Sequence, residues 1–347
     1  MNEKRANTVT VLALKLDQRT DNPFRGQQKT AKYHRLAKPQ KWTGMAPSIV
    51  TDENITNRAV WIEKIRQLSG NFGIDSDRIE QEIAQEIRVA GIAPLLGHLR
   101  LCGAIPESYE HDSSEEKLYS KYTDVVIHEA FTAMGFASLV LRERADVADV
   151  ECVTNDFSFV ADAKAFRLSR TAKNQKDFKV QAMDNWKHGK PFAMVVCPSY
   201  QLPTRTSQIY QQAAARSVCI STYTHLAVFV RHAHQAGQTA TIKLVHELFK
   251  SVAAMNPSKD AATYWQTINR TFNKSTQDLD EIWREEKIAS IESIGLAREE
   301  ALRFLAAERE RIMKLSRDEA IREVMRWRKI ENRMRAVQSV TDNGLLE

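Results

Sequence analysis

The 347-residue sequence contains no apolar run longer than a strand, and its opening residues, Met1-Asn2-Glu3-Lys4-Arg5, carry no hydrophobic block. Neither a membrane span nor a secretory leader is expected, which places the chain in the cytoplasm. Cysteine is scarce: Cys102, Cys152, Cys197 and Cys219 show no C-x-x-C spacing and sit among apolar residues. This argues against a zinc site or a disulfide framework and for four reduced, buried thiols. There is no internal repeat and no long low-complexity segment. With 43% hydrophobic and 27% charged residues, the chain is expected to fold as a soluble protein with a sizeable core.

Charge is unevenly spread. Residues 1–45 hold ten Lys/Arg against Glu3, Asp17 and Asp21, whereas the whole chain is only +6. Such an extension could be a solubilising tail or an arm that attracts DNA without regard to sequence. Within residues 1–50 only Val9–Leu14 has the look of an edge strand. Helical spacing then appears in Ala59, Ile62, Ile65 and Leu68, and again in Ile79, Ile83 and Ile87. Pro94 and Pro106 are read as bounding short connectors.

Residues 113–136 predict a helix capped by Ser113 or Ser114, with Leu118, Tyr122, Val125, Val126 and Phe131 as its apolar stripe. Two short strands follow, around Val147–Val153 and Phe157–Lys164, joined by a Thr154-Asn155-Asp156 turn. Next come a helix over 173–188, a buried strand at Phe192–Cys197, a helix near 206–215 and a strand at Val218–Ile220. This order predicts an α/β fold with a mixed central sheet flanked by helices. Residues 241–347 read as largely helical, with Ser316-Arg317-Asp318-Glu319 as a capping box. The divisions expected are a basic extension (1–50), a helical region (51–112), a catalytic core (113–240) and a helical C-terminal region (241–347).

The chemistry concentrates in residues 160–180, VADAKAFRLSRTAKNQKDFKV. On a strand, Asp162 and Lys164 share a face. A carboxylate suits a hard divalent cation, and a neighbouring ammonium can activate a water and screen phosphate charge. Asp149, on the preceding strand, would meet Asp162 at adjacent strand ends. Beyond them Lys164, Arg167, Arg170, Lys173, Lys176 and Lys179 place a cation at every third position, interrupted by Asp177, which suits a phosphodiester backbone. By side-chain chemistry Arg170, Lys173, Asn174 and Gln175 are candidate base readers, and Ser169, Lys176 and Lys179 candidate phosphate contacts. Each could equally be a solvated residue on a basic helix. Thr204, Arg205, Ser207 and Gln208 form a second polar run at a helix start, which could hold a phosphate or merely be capped by Thr206.

This layout resembles the PD-(D/E)xK nuclease superfamily, with Ala148 where the motif's name has Pro. From about residue 85 to 335 it resembles more closely the HindIII-type restriction endonucleases, through VADAKAFRLSRTAKNQKDFKV, Glu115–Lys121 and Pro203–Tyr210. The resemblance implies a magnesium-dependent type II endonuclease, with manganese able to substitute, acting as a homodimer on double-stranded DNA. It implies recognition of AAGCTT, cutting after the first A with 5′ overhangs, and a separate methyltransferase in the same cell. Asp149, Asp162 and the Ala163 carbonyl would hold the metal, with Asp146 as the fallback for Asp149. Lys164 would act on the attacking water, and Arg167 would belong to the DNA-facing segment. A further carboxylate from the preceding helix is expected from Glu129, with Asp124 as its rival; Glu129 in the site would favour a second metal ion. His128 beside it is read as structural. A structure-directed repair or junction nuclease and a non-catalytic DNA-binding protein remain the competing readings.

Overall fold

The computed structural model describes residues 48–142, 147–170, 175–273 and 277–339. The extension 1–47, the fallback ligand Asp146, and Lys173 and Asn174 lie outside the described residues, as do the side chains of Gln175 and Lys176.

Among the described residues four helices precede the sheet: α1 (Asp52–Arg66), α2 (Phe72–Ala90), α3 (Ile92–Leu101) and α4 (Ser114–Ala133). Then come β1 (Ala137–Val140), β2 (Val150–Val153), β3 (Ser158–Ala163), α5 (Gln175–Phe178), α6 (Val180–Trp186) and β4 (Phe192–Cys197). The core is completed by α7 (Gln208–Ala215), β5 (Val218–Thr222) and α8 (Tyr223–Ala236), and followed by α9 (Gln238–Ala253) and α10 (Ala261–Asn273). The chain continues through α11 (Gln277–Met313), α12 (Arg317–Trp327) and α13 (Ile330–Gln338).

The strands form one sheet in the order β1-β2-β3-β4-β5. The first three are antiparallel and the last two join in parallel, so the sheet is mixed, as the alternation of patterns predicts. Antiparallel pairing of β2 and β3 needs only the short Thr154 turn, closed by Thr154 N–H donating to the Phe157 carbonyl at 2.9 Å. Parallel β4 and β5 are buried on both faces, which explains the unbroken apolar run of Phe192–Cys197. On the central strand β3, Phe159 touches Phe131 of α4 and Phe249 of α9, with ring centroids 5.1 and 4.9 Å apart. This aromatic cluster fixes α4 against the strands that carry the acids.

Four features depart from the sequence expectations. Pro94 bounds no connector: it lies in the first turn of α3, where a missing N–H breaks no helical bond. The helix expected over 173–188 is broken at Lys179, whose positive φ of 45° separates α5 from α6. The cap of α7 is Ser207, not Thr206, through Ser207 Oγ accepting from Ile209 N–H at 3.3 Å. The edge strand β1 and the buried helix α8 were not anticipated at all. By contrast, Ser113 caps α4 and the Ser316/Glu319 capping box opens α12, as expected.

Half-buried arginines tie the outer helices to this core. Arg58 of α1 bonds Glu300 of α11 at 2.8 Å, the Tyr119 hydroxyl at 3.0 Å, and the carbonyls of Leu101 and Ala104 at 2.8 and 2.9 Å. Arg100 and Arg231 converge on the buried Glu286 at 2.6 and 3.0 Å. Removing one partner from such a cluster would strand a buried charge.

Candidate active site

The register of β2 and β3 pairs Val150 with Ala161, and one residue further it sets Asp149 opposite Asp162. Asp149 is fixed by accepting a 3.1 Å bond from the Ala163 N–H. Asp162 is buried, and its carboxylate is met by the Lys164 ammonium and by no other hydrogen-bond donor among the described residues. The backbone carrying Lys164 is held on both sides. Its N–H donates to the Val196 carbonyl at 2.8 Å, its own carbonyl accepts from Tyr223 Oη at 3.1 Å, and Phe166 bonds Gly103 at 3.0 Å. Adjacent strand ends thus carry two acids and a lysine on a rigid support.

The third carboxylate comes from α4, and it is Asp124. Buried at 3% exposure, it receives Lys121 Nζ at 2.8 Å. Its carboxyl is pushed up to about 6 by burial, with the negative charge of Asp162 opposing ionisation further and Lys121 favouring it. Burial, then Asp124 and Asp162, hold Asp149 well above the usual carboxylate range. Burial works to lower the Lys164 ammonium, but Asp162, Asp149 and Asp124 outweigh it and keep the lysine charged. Three carboxylates share the charge of two lysines, Lys121 and Lys164.

Glu129 lies elsewhere. Five residues along α4 it is rotated by about 140° from Asp124, and it faces a recess of about 500 Å³ with Glu80 and Arg88. Its carboxyl is raised by burial and by Glu80, with no contribution from Asp149 or Asp162. The helix therefore brings Asp124, not Glu129, to the strand ends. His128 bonds Ser138 at 2.9 Å, a structural contact.

Asp149 opens into a cleft of about 1100 Å³. Its walls include Ser76 and Asp77 of α2, Lys117 and Lys121 of α4, Arg142 after β1, and Lys179 and Gln181 near α6. Lys117 and Lys121 were not singled out by the sequence. The available signal was their spacing with Asp124, which places all three on one helical face.

The basic segment is partly engaged within the protein. The Arg167 guanidinium bonds Glu116 at 3.0 Å and the Tyr109 carbonyl at 2.6 Å, so a base contact would have to break both. Ser169 binds Glu107 through its N–H at 2.9 Å and its hydroxyl at 2.8 Å. Arg170 pairs with Asp177 and lies over the Phe166 ring. Lys179 is exposed, with its ammonium 5.1 Å from the Trp186 ring centre. Thr204, Arg205 and Gln208 are exposed at the approach to α7.

A hard divalent cation fits these donors. The buried Asp162 carboxylate meets no donor but Lys164 among the described residues, and two neighbouring acids resist ionisation because they are buried and face one another's negative charge, which a cation would offset. A tighter group of possible ligands, His111, Asp112 and Glu116, lies on the surface within 4.8 Å. There Glu116 is already bonded to Arg167 and to the Asp112 N–H.

Acids and a lysine at adjacent strand ends of a mixed sheet, above a cleft and flanked by helices, define an α/β nuclease core of the PD-(D/E)xK type. The chain belongs to the HindIII restriction endonuclease family, whose sequence model matches residues 58–341. It is similar to the type II restriction enzyme HindIII of Haemophilus influenzae, with 36% identity over 186 residues. That alignment spans 53% of this chain and 61% of the relative.

Proposed function

We propose that the chain is a type II restriction endonuclease that hydrolyses double-stranded DNA at AAGCTT in the presence of Mg2+, with Mn2+ able to substitute. The observation that carries this reading is the Asp149–Asp162–Lys164 arrangement at adjacent strand ends, with Asp149 on the wall of a cleft, in a chain of this family. The hexanucleotide comes from the likeness of the Arg167–Lys179 block to HindIII-type enzymes.

Asp149 and Asp162, with the Ala163 carbonyl and Asp124, would hold the ion. Bound there, it would supply positive charge to the scissile phosphate and favour ionisation of the attacking water. Lys164 is kept charged by its carboxylate neighbours and would orient that water while countering the charge that grows on the phosphate. In-line attack would expel the 3′ oxygen and leave a 5′ phosphate, with the cut after the first A giving 5′ overhangs. Lys117, Lys121 and Lys179 along the cleft would contact the DNA backbone. Arg170, Lys173, Asn174 and Gln175 remain the proposed base readers.

A palindrome cut on both strands calls for two sites related by a two-fold axis, hence a homodimer. Cytoplasmic action on DNA would also require a cognate methyltransferase in the cell, as a separate protein. The decisive experiment is a magnesium-dependent digest of duplex DNA carrying one AAGCTT, beside the same duplex with one base changed. Cutting confined to the intact site supports the full proposal. Cutting both at other fixed positions removes the specificity, and tight binding without cutting under Mg2+ or Mn2+ removes the activity.

A further inference from the structure

The parallel ladder between β3 and β4 stops one donor short at Lys164. The Lys164 N–H donates to the Val196 carbonyl at 2.8 Å. In a parallel pair the return bond to the Lys164 carbonyl would come from the residue two further along the neighbouring strand. That residue is Pro198, which has no N–H to give. The Tyr223 hydroxyl supplies the missing donor, 3.1 Å from the Lys164 oxygen.

Two local features put Tyr223 there. β5 pairs with β4 as far as Thr222 opposite Cys197, which brings the next residue alongside Pro198. Thr222 then caps α8, its hydroxyl 2.7 Å from the His225 ring and 3.4 Å from the His225 N–H, so the chain turns from strand to helix at Tyr223. The tyrosine is buried, and Gly103 leaves room for its ring: a Cβ built on Gly103 would lie 3.4 Å from Tyr223 Cδ2 and 2.7 Å from Pro198 Cβ. Burial holds the hydroxyl protonated far above neutral pH, so it remains a donor. The buried Cys102 thiol beside it is a weak acceptor by comparison.

We propose that Tyr223 is a positioning residue for Lys164, its hydroxyl standing in for the N–H that Pro198 lacks and so pinning the backbone of the lysine at its carbonyl as well as its N–H. Further along, the segment is held independently, by Phe166 N–H donating to the Gly103 carbonyl at 3.0 Å and Gln201 Nε2 to the Arg167 carbonyl at 3.3 Å. Loss of the tyrosine bond therefore frees the Lys164–Ala165 peptide and little else. That peptide matters because an ammonium that orients a water at a phosphate must be held within about 0.5 Å. The inference rests on the nuclease reading, in which Lys164 acts on the attacking water.

Tyr223→Phe removes the donor and keeps the ring, and circular dichroism should show an unchanged fold. The bond itself is read by nuclear magnetic resonance. Lys164 is the one lysine in the sequence that is followed by alanine. Lysine labelled with 13C at the carbonyl, together with 15N-alanine, therefore gives a single correlated signal from the Lys164 carbonyl. It should move upfield in Tyr223→Phe, as a carbonyl does on losing a hydrogen bond, and an unmoved signal overturns the inference. Single-turnover cleavage of the AAGCTT duplex in Mg2+ should slow by roughly 10- to 100-fold, while affinity for the same duplex in Ca2+ stays within about twofold. In a Lys164→Ala background the same change should alter the residual rate by less than about twofold, because nothing is left to position. An equal fall in both backgrounds, or a loss of affinity in place of rate, overturns the inference and leaves Tyr223 a structural residue. A wild type that cuts no DNA overturns the nuclease reading, and the positioning role with it. That failure is told apart from the others because the carbonyl signal is recorded without DNA or metal.

Discussion

Replacing Asp124 with Asn should stabilise the metal-free protein while removing most of its cleavage activity. An aspartate ionises near 3.9 in an unfolded chain, and Asp124 is pushed up to about 6 in the folded one. The folded state therefore disfavours the ionised form. Below about pH 3.9 both states are protonated and there is no cost; the cost grows as pH rises and is complete above about 6, at about 3 kcal/mol. A neutral Asn of the same shape escapes this cost, which is already net of the Lys121 ion pair, for a gain of about 1–3 kcal/mol at pH 7. With an unfolding entropy of about 2.1 cal/mol/K per residue, the melting temperature should rise by roughly 1–4 °C. At pH 4 the gain should vanish. Calorimetry at the two pH values without divalent cation measures it directly. Cleavage should meanwhile fall by about 100-fold or more, as when one charge-stabilising group is removed from a site. Glu129→Gln should change cleavage less than about twofold, being outside the electrostatic cluster. An unchanged or lower melting temperature for Asp124→Asn at pH 7, or a loss of cleavage in Glu129→Gln, would refute the reasoning.

Three other outcomes are expected. Lys164→Ala should lower cleavage by about 1000-fold while duplex affinity, read by fluorescence anisotropy in Ca2+, stays within about tenfold; normal turnover would remove Lys164 from the mechanism. His225 is buried between Trp265 and Trp283, and burial lowers its pKa to about 4. Its stabilising contribution is complete above about pH 6.5 and declines as pH falls toward 4, by about 3 kcal/mol in all. Urea unfolding should show that slope, and His225→Gln should flatten it; an equal slope in both proteins would show that other groups carry it. Gly103→Ala would put a Cβ 2.7 Å from that of Pro198, beside the carbonyl that holds Phe166. A loss of about 1–3 kcal/mol is expected from overpacking, and an unchanged melting temperature would mean the loop yields freely.

The strand-borne part of the site was legible because its logic is local. Asp162 and Lys164 share a face by alternation, and a three-residue turn leaves Asp149 little choice of partner. The helical part was harder, since five residues separate Asp124 from Glu129 and only packing decides which side of α4 meets the sheet. A clue was nevertheless present: Asp124 sits between Tyr122 and the apolar run Val125-Val126-Ile127 and follows Lys121 by three positions. A carboxylate within a buried face persists when a charge compensates it, and Lys121 does so here. Half-buried Glu129 feels the negative charge of Glu80 more than the positive charge of Arg88, a poor setting for an anion. The edge strand β1 escaped notice for a related reason. Four residues with the pattern exposed, partly buried, exposed, buried carry too short an alternation to stand out, and their strand character depends on pairing with β2. The long helix α11 is the converse case. In the sequence Leu279, Ile282, Ile291, Ile294, Leu302, Leu305, Ile312 and Leu315 form one broken apolar stripe, and only the structure divides it, because Leu279 and Ile282 are buried with Ala297 and Ala301 while Ile291, Leu302, Leu305 and Ile312 are exposed.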